Sequence, residues 1–382
     1  MNKKIAFIGN TDWYLSNFRG PLIRAAQETG WQPVLVCPAG RYADQMAAEG
    51  HAVHRLALNN DGMNPLRELR VLYQLWRLLR RERPAIIHLF TLKCVLYGAL
   101  VAPFAGRPAT IAAITGMGTL FTSQGWRSRL LRPPVLIAIR LALRVSRAHV
   151  VFQNTHDRDE CVQWRLIPRE RTSVIRGSGV DCERFCPDEN SQHRPGQPPR
   201  LLFAARLLQE KGINEYLEAT ARLRGEGHNF ISRIAGDAYP GNPSSLTQSE
   251  VDTLARDPRH EYLGHRDDMP EILRQCDIFV LPTYREGTPK SVLEAAASGC
   301  VIVTTDIPGC AGLVEEGVNG YLIPPRDTQA LTDTLRQLID MASEKRREMG
   351  HAGREIMQKN FSTETVNNAT LKIYDRVTTR SL

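Results

Sequence analysis

Two acids, Glu286 and Glu294, stand with seven residues between them in the stretch DIFVLPTYREGTPKSVLEAAASGCVIVTTDIPG. A carboxylate accepts paired hydrogen bonds, so each can hold neighbouring hydroxyls of a sugar or ribose. Between them, Gly287, Thr288, Pro289, Lys290 and Ser291 lead into a helix. The free N–H groups of a helix start favour an anion such as phosphate. Diol-binding acids flanking a phosphate-binding helix start are the groups a sugar nucleotide needs. Taken singly, Glu286 also fits a solvated side chain and Glu294 a partner of the helix dipole; the flanking pattern favours the joint reading.

That pattern is strand, loop, helix, strand. DIFVLPTY and CVIVTT are short apolar runs suited to buried strands. Pro289 suits a first helical position, and Gly299 suits a C′ stop for a helix over 290–298. Such a βαβ unit carries ligands at the carboxyl ends of its strands. Earlier, RLLFAARLLQEKG reads as a strand ending near Ala205 followed by a loop with two cations, Arg206 and Lys211. Opposite the helix start they could clamp a diphosphate, each contact contributing on the order of 1.5–3 kcal/mol.

The strands before and after this region alternate with helices, which predicts parallel sheets. The amino-terminal strand ends at Gly9-Asn10 without GxGxxG, which argues against a nicotinamide enzyme. Asn154 ends the strand HVVFQN, and Gly236-Asp237 stands at the end of the strand in FISRIAGDAY. His88 lies near the end of the apolar run PAIIHLF and reads as a core residue more readily than as a base. Gly116 and Gly118, in GMGTLFTS, either let backbone N–H groups approach a ligand or shape a turn. The Pro-rich stretch 187–200 reads as a linker.

EGTPKSVLEAAASGCVIVTTDIPGC resembles the E-x7-E signature of retaining glycosyltransferases of family 4, and the resemblance extends over nearly the whole chain. It implies an α/β GT-B fold: two Rossmann-like parallel-sheet domains facing across a cleft. The expected division is 1–190 for the acceptor domain, 191–360 for the nucleotide-sugar donor domain, and 361–382 for a terminal helix packing back on the first. Carried over, Arg206 and Lys211 hold the donor diphosphate, Glu294 the ribose and Glu286 the transferred sugar, with Arg206, Lys211 and Glu286 as the catalytic set. Asn154, Gly236, His265 and Arg266 join the donor site, the last two in a loop that meets the nucleobase. The block FTLKCVLYGALVAPFAGRPATIAAITGMGTLFTS is similar to members that extend sugars on undecaprenyl pyrophosphate. That likeness makes Lys93, Thr115, Gly116 and Gly118, with Asn10, Asp12, Ser16 and Asn17 of the first loop, the acceptor candidates. Thr115-Gly116 stands where many members have His-Gly, which leaves the role of that histidine unassigned. The resemblance implies a UDP-sugar donor, neither cofactor nor metal, and work at the inner face of the cytoplasmic membrane.

Composition agrees with a globular protein, and 382 residues suit two or three domains, each with its own core. Its net charge of +8 is uneven. Residues 1–190 hold 26 Lys and Arg against 15 Asp and Glu; the remainder holds 23 against 26. A basic half implies an acidic partner, either a pyrophosphate or anionic lipid. Nucleic acid is disfavoured, since no binding motif accompanies the charge. The eight cysteines form no CxxC pair and fit a reducing cytoplasm. The segments 66–83 and 127–147 read as basic amphipathic helices, suited either to an anionic membrane surface or to a core with arginines in water. Three rivals to transfer onto a lipid-linked sugar fit the same residues: a UDP-sugar epimerase of the same fold, a transferase with a soluble acceptor, and a non-enzymatic binder of lipid-linked sugar.

Overall fold

The structure is a computed structural model. It describes residues 3–58, 65–114, 126–188 and 196–379, leaving aside the side chains of 126–131. Thr115, Gly116 and Gly118 lie outside the described residues. The chain divides into two compact units, Met1–Ser178 with Val366–Leu382, and Gly179–Thr365.

The first unit is built on strands β1 (Lys4–Ile8), β2 (Gln32–Cys37), β3 (Ala52–Arg55), β4 (Ile86–Phe90), β5 (Ala109–Ile114), β6 (His149–Phe152) and β7 (Thr172–Val174). They form one parallel sheet in the order β3-β2-β1-β4-β5-β6-β7. Successive side chains alternate between faces, so Ile5 and Phe7 enter one core and Ala6 and Ile8 the other. Both faces are buried, as a parallel sheet requires. The connecting helices are α1 (Gly20–Glu28), α2 (Arg41–Ala48), α3 (Pro65–Glu82), α4 (Leu92–Val101), α5 (Trp126–Val145) and α6 (Thr155–Gln163). Apolar residues of α3, α4 and α5 cover one face together: Val71, Leu75, Cys94, Ala99, Ile139 and Ala142 share its core.

The second unit has β8 (Arg200–Ala204), β9 (Ile231–Ala235), β10 (Glu261–Gly264), β11 (Ile278–Leu281), β12 (Val301–Thr305) and β13 (Gly320–Ile323). These pair in parallel in the order β10-β9-β8-β11-β12-β13. Its helices are α7 (Ile213–Gly225), α8 (Gln248–Arg256), α9 (Met269–Arg274), α10 (Lys290–Ala297), α11 (Thr328–Asp340) and α12 (Ser343–Asn360). The last helix, α13 (Thr363–Thr379), returns to the first unit, where Ile373 and Tyr374 are buried beside Phe7 and Phe90.

The two compact units part at 178/179 and 365/366, beside the expected boundaries of 190/191 and 360/361. The segment DCERFCP, read from sequence as closing the first domain, packs into the second. Val180 pairs its backbone with Phe361 and Thr363, at 2.9 Å each way. Phe185 is buried in the second core, and Arg354 donates to the carbonyls of Cys182 (3.0 Å) and Phe185 (2.9 Å).

Candidate functional site

In each sheet the strand order reverses at one point, between β1 and β4 and between β8 and β11. Loops leave such a point in opposite directions and open a crevice at the carboxyl ends. In the second unit, the loop after β8 carries Arg206 and Lys211, and the loop after β11 carries Glu286. The two are tied together: the Tyr284 N–H donates to the Glu210 carbonyl at 2.9 Å and the Thr283 hydroxyl donates to the same oxygen at 3.1 Å. Gly212, at φ 77°, allows the approach, since a Cβ there would sit 2.2 Å from the Pro282 carbonyl oxygen. In this way the Lys211 ammonium meets the Glu286 carboxylate, both largely screened from solvent.

Gly309, after β12, fixes the other side of Glu286. A Cβ on Gly309 would lie 2.3 Å from the Glu286 carbonyl oxygen. Helix α10 then starts at Lys290 with Pro289 at its N-cap, one position earlier than expected for Pro289. Proline at this position supplies no side-chain cap. Thr288, Lys290 and Ser291 are half-buried around it. Gly299, at φ 81°, closes the helix as the sequence indicates. Within α10, Glu294 lies 3.6 Å from Lys290. Burial pushes the Glu294 carboxyl above its ordinary pKa, against the pull of Lys290 and Arg184.

The remaining donor candidates are less concentrated. Arg206 is exposed, and its guanidinium stacks 4.7 Å over the Tyr239 ring of the loop after β9 rather than on Lys211 or Glu286. Gly236 abuts the Ala205 carbonyl and donates its N–H to Gly264 at 2.8 Å. His265 is exposed beside Asp267, and Arg266 is held by Asp268 at 2.7 Å. Asn154 belongs to the first unit. Its side chain caps α6, accepting from the Asp157 N–H at 2.7 Å.

The first unit's switch point holds the turn after β1. Asn10 and Ser16 are half-buried there, and Asn17 is exposed with its amide donating to the Trp13 carbonyl at 3.1 Å. Asp12 serves the fold: its carboxylate accepts from the N–H groups of Tyr42 (3.0 Å) and Ala43 (3.2 Å), capping α2. Lys93 is held by Glu68 at 3.0 Å, while the Tyr97 hydroxyl donates to the same carboxylate at 2.7 Å. Burial favours the neutral form of Glu68, but those two partners outweigh it and hold the carboxyl below its ordinary pKa.

Sequence reading missed Arg19. It is 7 % exposed, hydrogen-bonded to the Tyr14 hydroxyl at 2.7 Å and placed 4.6 Å over the Phe90 ring. Among the described residues it has no carboxylate partner. A buried cation between β1 and β4 is suited to an anion. His88 lies on the same face of β4. It shares a 2.7 Å hydrogen bond with Tyr374, and burial, with Arg19 adding to it, pushes its pKa well below the usual imidazole value.

Comparison with known proteins adds a second line of observation. Residues 187–356 match the family model for glycosyl transferases group 1, and residues 4–155 match that for glycosyl transferase 4-like domains. Over 98% of this chain, and 99% of its own length, the N,N'-diacetylbacillosaminyl-diphospho-undecaprenol alpha-1,3-N-acetylgalactosaminyltransferase of Campylobacter jejuni is 26% identical. The UDP-Gal:alpha-D-GlcNAc-diphosphoundecaprenol alpha-1,3-galactosyltransferase of Escherichia coli is 25% identical over 72% of this chain and 71% of its own. Among solved structures, Anabaena HepE in complex with UDP-glucose superposes with a TM-score of 0.78 at 19% identity, covering 98% of this chain and 99% of that one. That likeness is one of fold.

Proposed function

Because this chain is a family 4 glycosyltransferase of the GT-B fold, we propose that it moves a hexose or N-acetylhexosamine from a UDP-sugar to a polyprenyl-diphosphate-linked saccharide, with retention, in the synthesis of a bacterial surface glycan. The observation that carries this reading is the Lys211–Glu286 pair at the switch point of the second sheet, beside the start of α10. The printed activities of the Campylobacter jejuni and Escherichia coli relatives support the acceptor class, and the UDP-glucose held by HepE supports the donor class.

In this reading the N–H groups around Gly287–Ser291 and the cations of Arg206 and Lys211 take the donor diphosphate. Glu294 holds the ribose hydroxyls, and Glu286 exchanges its contact with Lys211 for one with the sugar. Gly236, His265 and Arg266 complete the donor surroundings within the second unit. The bond between the anomeric carbon and the diphosphate oxygen breaks as the acceptor hydroxyl oxygen bonds to the same face of that carbon. The hydroxyl proton passes to the leaving phosphate oxygen, and UDP departs. Lys211 and Arg206 offset the charge that grows on the diphosphate.

On the acceptor side, Arg19 supports the presence of an anion near the turn that carries Asn10, Ser16 and Asn17. The polyprenyl tail of such an acceptor lies in a bilayer, so the chain works as a peripheral protein at the inner face of the cytoplasmic membrane. The test is a screen of UDP-sugars against undecaprenyl-diphosphate sugars, with products read by mass. Acceptor mass should rise by one sugar residue and UDP should be released, and Glu286→Ala should abolish both. A new UDP-sugar formed without any acceptor would favour an epimerase instead. Transfer unchanged in Glu286→Ala would remove Glu286 from the site.

A further inference from the structure

A row of aromatic rings leads from solvent to the first sheet through the turn after β1. Trp13, at its outer end, is 48% exposed. Its ring meets Phe18 edge to face at 5.3 Å, and Phe18 stacks on Tyr14 at 5.2 Å. Tyr14 in turn meets Phe90, the last residue of β4, at 5.9 Å. The row therefore ends at the carboxyl edge of β4, at the switch point of this sheet. A sugar ring has an apolar face of C–H groups, which gains by covering an open aromatic ring.

Arg19 stands at the inner end of the row. Residues Leu15–Arg19 form a π-helical turn just before α1, a rare geometry found mostly at functional sites. Leu15 and Arg19 are the buried members of that turn. The Nε and Nη2 groups of Arg19 both donate to the Tyr14 hydroxyl, at 3.2 and 2.7 Å. Its Nη1 group has no hydrogen-bond partner among the described residues. A buried cation whose one polar partner is a neutral oxygen is costly unless an anion joins it. Two further observations flank Phe90. The Nε2 of His88, whose ring lies 4.1 Å from that of Phe90, is buried with no hydrogen-bond partner. Thr91, the next residue, holds φ 71°, a strained value for a β-branched side chain and one that clusters at ligand clamps.

We propose that this row reads the acceptor, with the Arg19 guanidinium taking its diphosphate and the Trp13 ring stacking on the sugar joined to that diphosphate. A planar guanidinium matches phosphate oxygens in pairs, and the rings of Tyr14 and Phe90 hold it in place at 5.4 and 4.6 Å. Tyr14 and Phe18 fill the space between the two reading groups. One part of the acceptor is thus recognised as charge and the adjoining part as apolar surface, so neither a bare sugar nor a bare diphosphate satisfies both. The inference rests on the reading that the acceptor is a diphosphate-linked saccharide, and it names the residues that select it.

The experiment is titration calorimetry of the full chain, with UDP at saturation, against three short-tailed probes: citronellyl-diphospho-N-acetylglucosamine, the citronellyl glycoside of the same sugar without diphosphate, and citronellyl glucuronide. The diphospho-sugar should bind about tenfold or more tighter than the neutral glycoside. Arg19→Met should remove that preference and leave the neutral glycoside as in the native chain. Trp13→Ala should weaken both about fivefold, and Trp13→Phe should restore most of the loss. Arg19→Met also takes away a buried unpaired charge, so the melting temperature should hold or rise; a merely structural Arg19 would lower it and leave the titration unchanged. If Arg19→Met does not fold, the Trp13 variants and the comparison of probes decide alone. A separate UDP titration reads the donor site: no binding by the native chain would count against the proposed reaction, not against this subsite. Equal affinity for diphospho-sugar and neutral glycoside would overturn the proposal, as would native affinity in either Arg19→Met or Trp13→Ala. Tightest binding of the glucuronide would put a sugar carboxylate on Arg19 in place of the diphosphate, and would overturn it too.

Discussion

The imidazole of His88 and the phenol of Tyr374 meet at 2.7 Å, although 286 residues of chain separate them. Strand β4 and the terminal helix α13 are thereby joined inside the first core. Tyr374→Phe keeps the ring and removes the hydroxyl, leaving a buried ring nitrogen without its partner. Urea unfolding of the first unit should show a loss of about 1–3 kcal/mol, with the second unit unchanged.

The buried histidines set an acid limit on stability. Burial, followed by Arg19, holds His88 well below its ordinary 6.5. In the second unit, burial outweighs nearby Asp257 and lowers His260 to about 4. Both stay neutral in the fold where the unfolded chain takes up protons. Their contribution is therefore complete above pH 6.5 and is lost as pH falls, for His260 down to about 4. Unfolding midpoints measured across this range should fall with pH, and His260→Gln should flatten the fall for the second unit.

Glu294 has the opposite sign. Burial raises its pKa in the fold, so the folded state holds the proton more tightly than the unfolded chain. Its contribution is present below the ordinary 4.5 and is lost as pH rises through the raised value. Glu294→Gln should therefore raise the melting temperature at neutral pH. The same change should weaken donor binding by about tenfold or more, the worth of a charge-assisted contact. Calorimetry and UDP titration on one sample would read the two effects together.

Gly309 tests the placement of Glu286 without touching its side chain. An added Cβ would meet the carbonyl oxygens of Glu286 and Gly287 at 2.3 Å and 2.7 Å, while the Gly309 backbone is one that other residues adopt. Gly309→Ala should move the loop and lower kcat about a hundredfold, the usual cost of a small displacement at a reacting centre. A melting temperature near the native value, together with near-native kcat, would show that the loop relaxes without consequence.

Local signals made the centre of the second unit legible. Helix α10 runs 290–297 against an expected 290–298, because its strand flanks and Gly299 are readable from neighbours alone. A local signal was also passed over: Thr247 and Glu250 form a capping box at the start of α8, and T-x-x-E stands plainly in the sequence. What stayed hidden was non-local. Nothing near Asp12 announces that it caps a helix thirty residues on. Nothing near Val180 indicates Phe361 as its neighbour. Arg19 looks like any surface arginine until Phe90 and Tyr14 are brought around it.

The return of the chain at residue 366 has a consequence for synthesis. A ribosome that has delivered residue 365 has released every residue of the second unit, while the first still lacks its closing helix. The unit begun first is thus the one finished last, and until Tyr374 emerges the pocket around His88 stays open on a nascent chain.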